Sequence, residues 1–157
     1  MILANALPLR DKIRLIVEVD LRAVLEIERS CFTDPWPMKW FRTAIQCRDH
    51  FTGVFDNREK LLGYAISVVE DDKLYIANLA VDQDHRRSGV GRALVEDAIR
   101  FGTTKNRTIA FLEVRISNDG AIKLYESLGF AHQKIEEGYY GDGEDAVVLV
   151  RKIDGVV

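Results

Sequence analysis

The sequence predicts a mixed α/β fold of the α+β kind, with a central, mostly antiparallel sheet and helices on both faces. Three observations carry this expectation. Segments with strand periodicity alternate with segments of helical spacing in the order βααβββαβαββ. The middle strands follow one another across short polar turns, which gives antiparallel pairing. The later strand–helix–strand steps require crossovers and therefore bring in parallel pairing. Such a mixed sheet buries both faces only when helices cover both.

Each element has its own signal. Lys12 to Val17 predicts a first strand. Asp20 to Phe32 predicts a helix, with Leu21, Val24, Leu25, Glu28 and Phe32 near helical spacing. Glu18 and Asp20 at its start suit the helix dipole. Asp34-Pro35-Trp36-Pro37 breaks the chain before a short helix, Lys39 to Gln46. Phe51 to Phe55 and Leu61 to Glu70 form a hairpin closed at Asp56-Asn57-Arg58. Asp71-Asp72-Lys73 then turns into a strand from Leu74 to Val81. A glycine turn leads into a helix from Gly89 to Thr103, followed by a strand from Ile109 to Val114. Asn118 to Leu128 predicts a helix stopped by Gly129. Two last strands, Phe130 to Glu137 and Glu144 to Lys152, flank the loop Gly138 to Gly143.

Bulk numbers narrow the function classes. A chain of 157 residues, 47% hydrophobic and 30% charged, suits one globular domain over residues 1–157. A net charge of -3 argues against a nucleic-acid partner, which usually calls for a basic excess. No run approaches the roughly 20 apolar residues of a membrane span, so no membrane partner is expected. Met1 to Leu9 has no basic residue before its apolar part and is broken by Asn5 and Pro8, which is unlike a signal peptide. Cys31 and Cys47 have neither metal-like nor disulfide-like spacing, which fits reduced thiols in a cytoplasmic protein. His50, His85 and His132 are scattered and no metal site is expected. A monomer or weak homo-oligomer is expected.

The run His85-Arg86-Arg87-Ser88-Gly89-Val90-Gly91-Arg92 joins a strand to a helix. Backbone N–H groups at such a junction can converge on an anion. The glycines allow close approach of the main chain, and the arginines add forked donors for phosphate. A dinucleotide fold wants a third glycine, where this chain has Leu94, and a P-loop wants Gly-Lys-Ser/Thr. Taken alone, the turn also fits an ordinary structural connection.

Its company is more specific. Leu79-Ala80-Val81, the run Asp82 to Arg92, Leu112 to Asn118, and Leu124-Tyr125-Glu126-Ser127-Leu128-Gly129-Phe130 stand in order along the chain. Together they resemble the GNAT N-acetyltransferase superfamily. Glu113 to Asn118, Leu124 to Phe130 and Tyr139-Tyr140 with Gly143-Glu144-Asp145-Ala146 resemble the bacterial ribosomal-protein alanine N-acetyltransferases of the RimI type. The resemblance covers about Asp20 to Lys152.

It implies a three-layer fold whose sheet is splayed between two middle strands, with a bulge expected near Asn78 to Ala80. It implies acetyl-CoA as cofactor and CoA as product. Arg86, Arg87, Ser88, Gly89, Val90, Gly91 and Arg92 would hold the pyrophosphate. Leu79, Ala80 and Val81 would face the pantetheine and acetyl group, and Asn118 would bond the pantetheine arm. Tyr139 and Tyr140 would hold the first residues of the acceptor, with Phe32, Pro35 and Trp36 walling the groove. The expected acceptor partner is the N-terminus of a ribosomal protein.

The chemistry defines two further positions. An α-amine has a pKa near 8 and a lysine one near 10.4, a difference of about 3.4 kcal/mol in deprotonation. A modest base therefore serves an N-terminal acceptor. Glu113 is the candidate base, acting directly or through water, on a strand face shared with Ile109 and Phe111. The alternative is a glutamate paired with Arg115. The resemblance implies Tyr125 at the CoA sulfur, and its pKa near 10, above that of a thiol, makes it a hydrogen-bond donor rather than a full proton donor. The alternative is a core tyrosine with a satisfied hydroxyl. Glu136, Glu137, Asp142, Glu144 and Asp145 form an acidic cluster that either attracts a basic residue of the acceptor or is a solvated hairpin. Acetylation of lysine or a small amine, and a non-catalytic CoA-binding sensor, remain the competing readings.

Overall fold

The structure, a computed structural model, describes residues 8–154. Met1 to Leu7, where no leader is expected, lie outside them. Among the described residues, seven strands and four α-helices follow in the expected order. The strands are β1 (Ile13–Leu15), β2 (His50–Phe55), β3 (Leu61–Glu70), β4 (Lys73–Val81), β5 (Ile109–Arg115), β6 (Ala131–Glu136) and β7 (Ala146–Lys152). The helices are α1 (Leu21–Cys31), α2 (Met38–Gln46), α3 (Val90–Thr104) and α4 (Asp119–Ser127). Strand β1 is shorter than the predicted Lys12 to Val17. Asp20 bends the chain there, accepting the Val17 N–H at 2.9 Å and pairing with Arg14 at 2.8 Å.

The sheet runs β1-β2-β3-β4-β5-β7-β6, and every neighbouring pair is antiparallel except β4–β5. Helices α1 and α2 cover one face. There Val24, Leu25 and Phe41 pack on Phe51, Tyr64 and Ile66. Helices α3 and α4 cover the other, where Val95, Ile99, Tyr125 and Leu128 pack on Leu74, Leu112 and Leu149. Strand β5 alternates strictly. Ala110, Leu112 and Val114 are buried toward α3 and α4, so Ile109, Phe111, Glu113 and Arg115 face the opposite side.

Two contacts fix the α3 side of the sheet. Gly63 in β3 lies so close to β4 that a Cβ would stand 2.9 Å from the Ala80 carbonyl oxygen and from Val90 Cγ1. Farther along α3, Asp97 accepts a 2.7 Å bond from His50 on β2 and a 3.3 Å bond from the Thr52 hydroxyl. The His50 ring stacks on Phe101 at 4.1 Å. Burial opposes ionisation of Asp97. The His50 bond, with the nearby charges and Thr52, outweighs burial and holds the carboxyl below the usual range.

Two outcomes follow for stability. Gly63→Ala forces β4 and the start of α3 apart and is expected to cost about 2 kcal/mol, read as a lowered midpoint in denaturant. A depressed carboxyl contributes stability that is present above its unfolded pKa and lost as pH falls through the folded one. Asp97→Asn is therefore expected to destabilise the protein by about 1 kcal/mol at pH 7. Thermal melts should show that difference closing as pH falls below the ordinary carboxylate range.

Candidate active site

Strands β4 and β5 pair only at Lys73, Leu74 and Tyr75 with Ile109, Ala110 and Phe111. Past that point they part. Opposite β3, Ile66 faces Asn78 and Ser67 faces Ile76, which leaves Ala77 as an extra residue on β4. This is a β-bulge, and bulges bend the strand that carries them. It falls one residue ahead of the expected Asn78 to Ala80. Asn78 itself is paired and turns its side chain to Glu28 on α1. The parting opens a cavity of about 500 Å³ through the sheet.

Glu113 and Tyr125 both line this cavity. Glu113 approaches from the face opposite α3 and α4, and Tyr125 from within α4 on the other face. The gap between β4 and β5 brings the two side chains to one space. Arg115 does not pair with Glu113. It binds Asp142 at 2.9 Å and Glu144 at 3.1 Å instead. Tyr125 is 6% exposed, and burial pushes its phenol well above the usual value, so it stays protonated and able to donate.

Tyr75 belongs to this group, although nothing in the sequence pattern singled it out. It stacks on Phe111 at 4.8 Å. Burial, foremost, with Glu113 and Tyr139 nearby, pushes its phenol far up. The strand register alone carries the signal. Tyr75 sits opposite Phe111, one step along the same face from Glu113.

The turn from Arg86 to Arg92 is built for a close approach of the backbone. Gly89 has φ +87, a left-handed value that favours glycine, and Arg87 shares that region at φ +58. No side chain caps α3, and its first internal bond runs from Ala93 N–H to the Gly89 carbonyl at 3.0 Å. The amides of Val90, Gly91 and Arg92 therefore have no partner within the helix. Arg86, Arg87 and Ser88 are exposed around them, and Val90 is buried beneath. Arg92 reaches Ser127 on α4 at 3.1 Å. His85 pairs with Asp82 at 3.4 Å. Leu79, Ala80 and Val81 follow the bulge where β4 has no β5 partner. Asn118 caps α4 by accepting the Ala121 N–H at 3.2 Å, and it lines the cavity.

Phe32, Pro35 and Trp36 form one wall of the cavity, with Tyr139 and Tyr140 opposite. Trp36 packs edge-on against Trp40 at 5.4 Å and against Phe41 at 5.6 Å. Tyr140 lies under the Arg115 guanidinium, 4.1 Å from its ring centre. Burial, foremost, pushes its phenol up to about 12.

The acidic cluster is mostly committed to holding this loop. Asp142 and Glu144 clasp Arg115, Glu144 also accepts from the Ser117 amide and hydroxyl, and Asp145 accepts the Gly138 N–H. Glu136 pairs with Lys134. These pairings favour the reading of the acidic cluster as a structured charged hairpin over that of a cluster attracting a basic acceptor residue.

With this geometry in view, comparison with known proteins is direct. Residues 21–130 match the acetyltransferase (GNAT) family. The [ribosomal protein bS18]-alanine N-acetyltransferase of Escherichia coli K12 is 38% identical over 137 residues, 85% of this chain and 92% of that protein. The crystal structure of the Escherichia coli ribosomal-protein-S18-alanine N-acetyltransferase superposes with a TM-score of 0.82 at 36% identity, covering 92% of this chain and 95% of that one. An N-alpha-acetyltransferase of Saccharolobus solfataricus is 29% identical over 85% of this chain and 88% of its own. The chain belongs to the GNAT acetyltransferase family and is an N-acetyltransferase.

Proposed function

We propose that this protein transfers the acetyl group of acetyl-CoA to the N-terminal alanine of a ribosomal protein, by direct attack of the amine. The observation that carries the reading is the convergence of Glu113 and Tyr125 from opposite faces into one gap, beside three uncapped helix amides. Similarity to two enzymes named for ribosomal-protein alanine acetylation supports the choice of acceptor. A cytoplasmic setting and one domain over residues 1–157 belong to the same reading.

The residues present suit a long phosphorylated thioester. Its pyrophosphate matches the amides of Val90, Gly91 and Arg92, with Arg86, Arg87, Ser88 and Gly89 around them. Its extended arm matches the β4 edge at Leu79, Ala80 and Val81, which lacks a strand neighbour on that side. Asn118 uses its carbonyl oxygen in the helix cap, which leaves its Nδ2 to donate to that arm. When bound, acetyl-CoA supplies an electrophilic carbonyl and a sulfur leaving group.

The chain supplies the rest. Glu113 accepts the proton of the attacking amine, directly or through a water. Tyr125, kept protonated by burial, donates a hydrogen bond toward the departing sulfur. Phe32, Trp36, Tyr139 and Tyr140 enclose the first residues of the acceptor and exclude water. Cys31 and Cys47 are free thiols. Neither is needed as an acyl carrier in direct attack.

Two experiments check this. Short peptides beginning with alanine, peptides with other first residues, and N-blocked peptides containing lysine are incubated with acetyl-CoA, and mass spectrometry locates the label. The expected product is Nα-acetylated alanine. Label confined to lysine would move the acceptor to side-chain amines, and CoA binding with no turnover would make the protein a sensor. In the second, Glu113→Gln is expected to lower kcat/KM about a hundredfold at pH 7 and less at pH 9, where the free amine is already abundant. An equal deficit at both pH values would remove Glu113 from the proton-accepting role.

A further inference from the structure

Glu28 is a carboxylate in the last turn of α1, only 1% exposed. Burying a carboxylate is costly unless donors surround it. A leucine of similar size would pack there without that cost. Three donors from three different elements meet Glu28. The Trp36 amide of the loop between α1 and α2 donates at 2.9 Å. The Asn78 side-chain amide on β4, one residue past the bulge, donates at 3.2 Å. The Tyr64 phenol on β3 also donates to it. Burial, and the Glu28 charge, keep that phenol protonated. All three donors are neutral side-chain or backbone groups.

The directions of these bonds are informative. Trp36 belongs to the aromatic wall of the cavity, and Asn78 belongs to the strand that parts from β5. Both line the cavity, as does Glu28. One carboxylate therefore joins the loop between α1 and α2, which carries Trp36, to the β4 edge of the gap. The cofactor turn at Arg86 to Arg92 makes none of these bonds.

We propose that Glu28 is a positioning residue for the acceptor: it sets the width of the acceptor side of the gap by tying the Trp36 loop to Asn78. The proposal rests on the acetyl-transfer reading of the same cavity. Losing the tie lets the loop swing from the gap and weakens acceptor binding, while the cofactor turn keeps its shape. A glutamine keeps an oxygen for the Trp36 amide and offers its own amide to a rotated Asn78.

The test compares Glu28→Ala, Glu28→Gln and Asn78→Ala. Steady-state kinetics use an alanine-first peptide, CoA binding is measured by calorimetry, and hydrogen exchange is read at the Trp36 amide. Glu28→Ala is expected to raise peptide KM about tenfold while CoA affinity stays within about twofold, the size expected for losing one buried bond. The Trp36 amide should exchange faster, and Glu28→Gln should recover most of both effects. If Glu28→Ala does not fold, Asn78→Ala removes one arm of the tie and should raise peptide KM in the same direction. An unchanged peptide KM in the folded variant overturns the proposal, as does an equal loss of peptide and CoA binding. If the unmodified protein turns over no amine, the functional reading fails instead. Glu28 is then judged by exchange alone, and unchanged Trp36 protection in Glu28→Ala overturns its role.

Discussion

Strands β4 and β5 share three residue pairs and then separate, and the site depends on that separation. An intact ladder would continue from Tyr75–Phe111 along both strands and fill the gap with hydrogen bonds. The extra residue at Ala77 prevents this by bending β4 away, while β5 stays held by β7 along its whole length, Ile109 to Arg115. The unpaired stretch of β4 is an exposed row of backbone donors and acceptors within a sheet. Such a row is costly unless something pairs with it. Here it faces a cavity, which turns a structural liability into a place where a ligand can complete the sheet.

The same separation explains how two side chains of opposite orientation serve one reaction in the proposed mechanism. Glu113 points away from α3 and α4, and Tyr125 reaches in from α4. On a closed sheet they would lie on opposite sides of a wall. Direct transfer between two bound molecules needs a proton acceptor on the amine side and a donor on the sulfur side. A breached sheet provides that polarity without any movement of the backbone. Around it, Arg115 with Asp142 and Glu144 secures the Tyr139-Tyr140 loop, and Glu28 secures the Trp36 loop. The two walls are thus each held by a charged side chain that also lines the cavity.

Much of this was legible in the sequence because the signals are local. The order of elements, the β2–β3 hairpin, the glycine turn before α3 and the inward Tyr125 all follow from periodicity and turn chemistry within a few residues. Glu113 on the Ile109 and Phe111 face follows from strand alternation. Other features depend on contacts far apart in the chain. Glu28 fits the apolar stripe of α1 by spacing, but its burial as a charge is set by Asn78, fifty positions away, and by Tyr64. The bulge at Ala77 depends on register against β3, which no single strand encodes. Tyr75 becomes relevant only once β4 and β5 are known to be neighbours. The acidic residues after Glu136 read as a patch in sequence because their partners, Arg115, Ser117 and Lys134, lie on other elements or turn with them.

The central claim is that transfer occurs inside the gap between the separated strands. A crystal structure with a conjugate joining an alanine-first peptide to CoA through its terminal amine tests it most directly. The account predicts that the linking atoms lie between Ile76–Leu79 and Leu112–Val114, with the peptide nitrogen facing Glu113 and the sulfur end facing Tyr125. A conjugate held at the Arg86–Arg92 turn whose peptide leaves over another face, with the gap closed by β4–β5 hydrogen bonds, would contradict it.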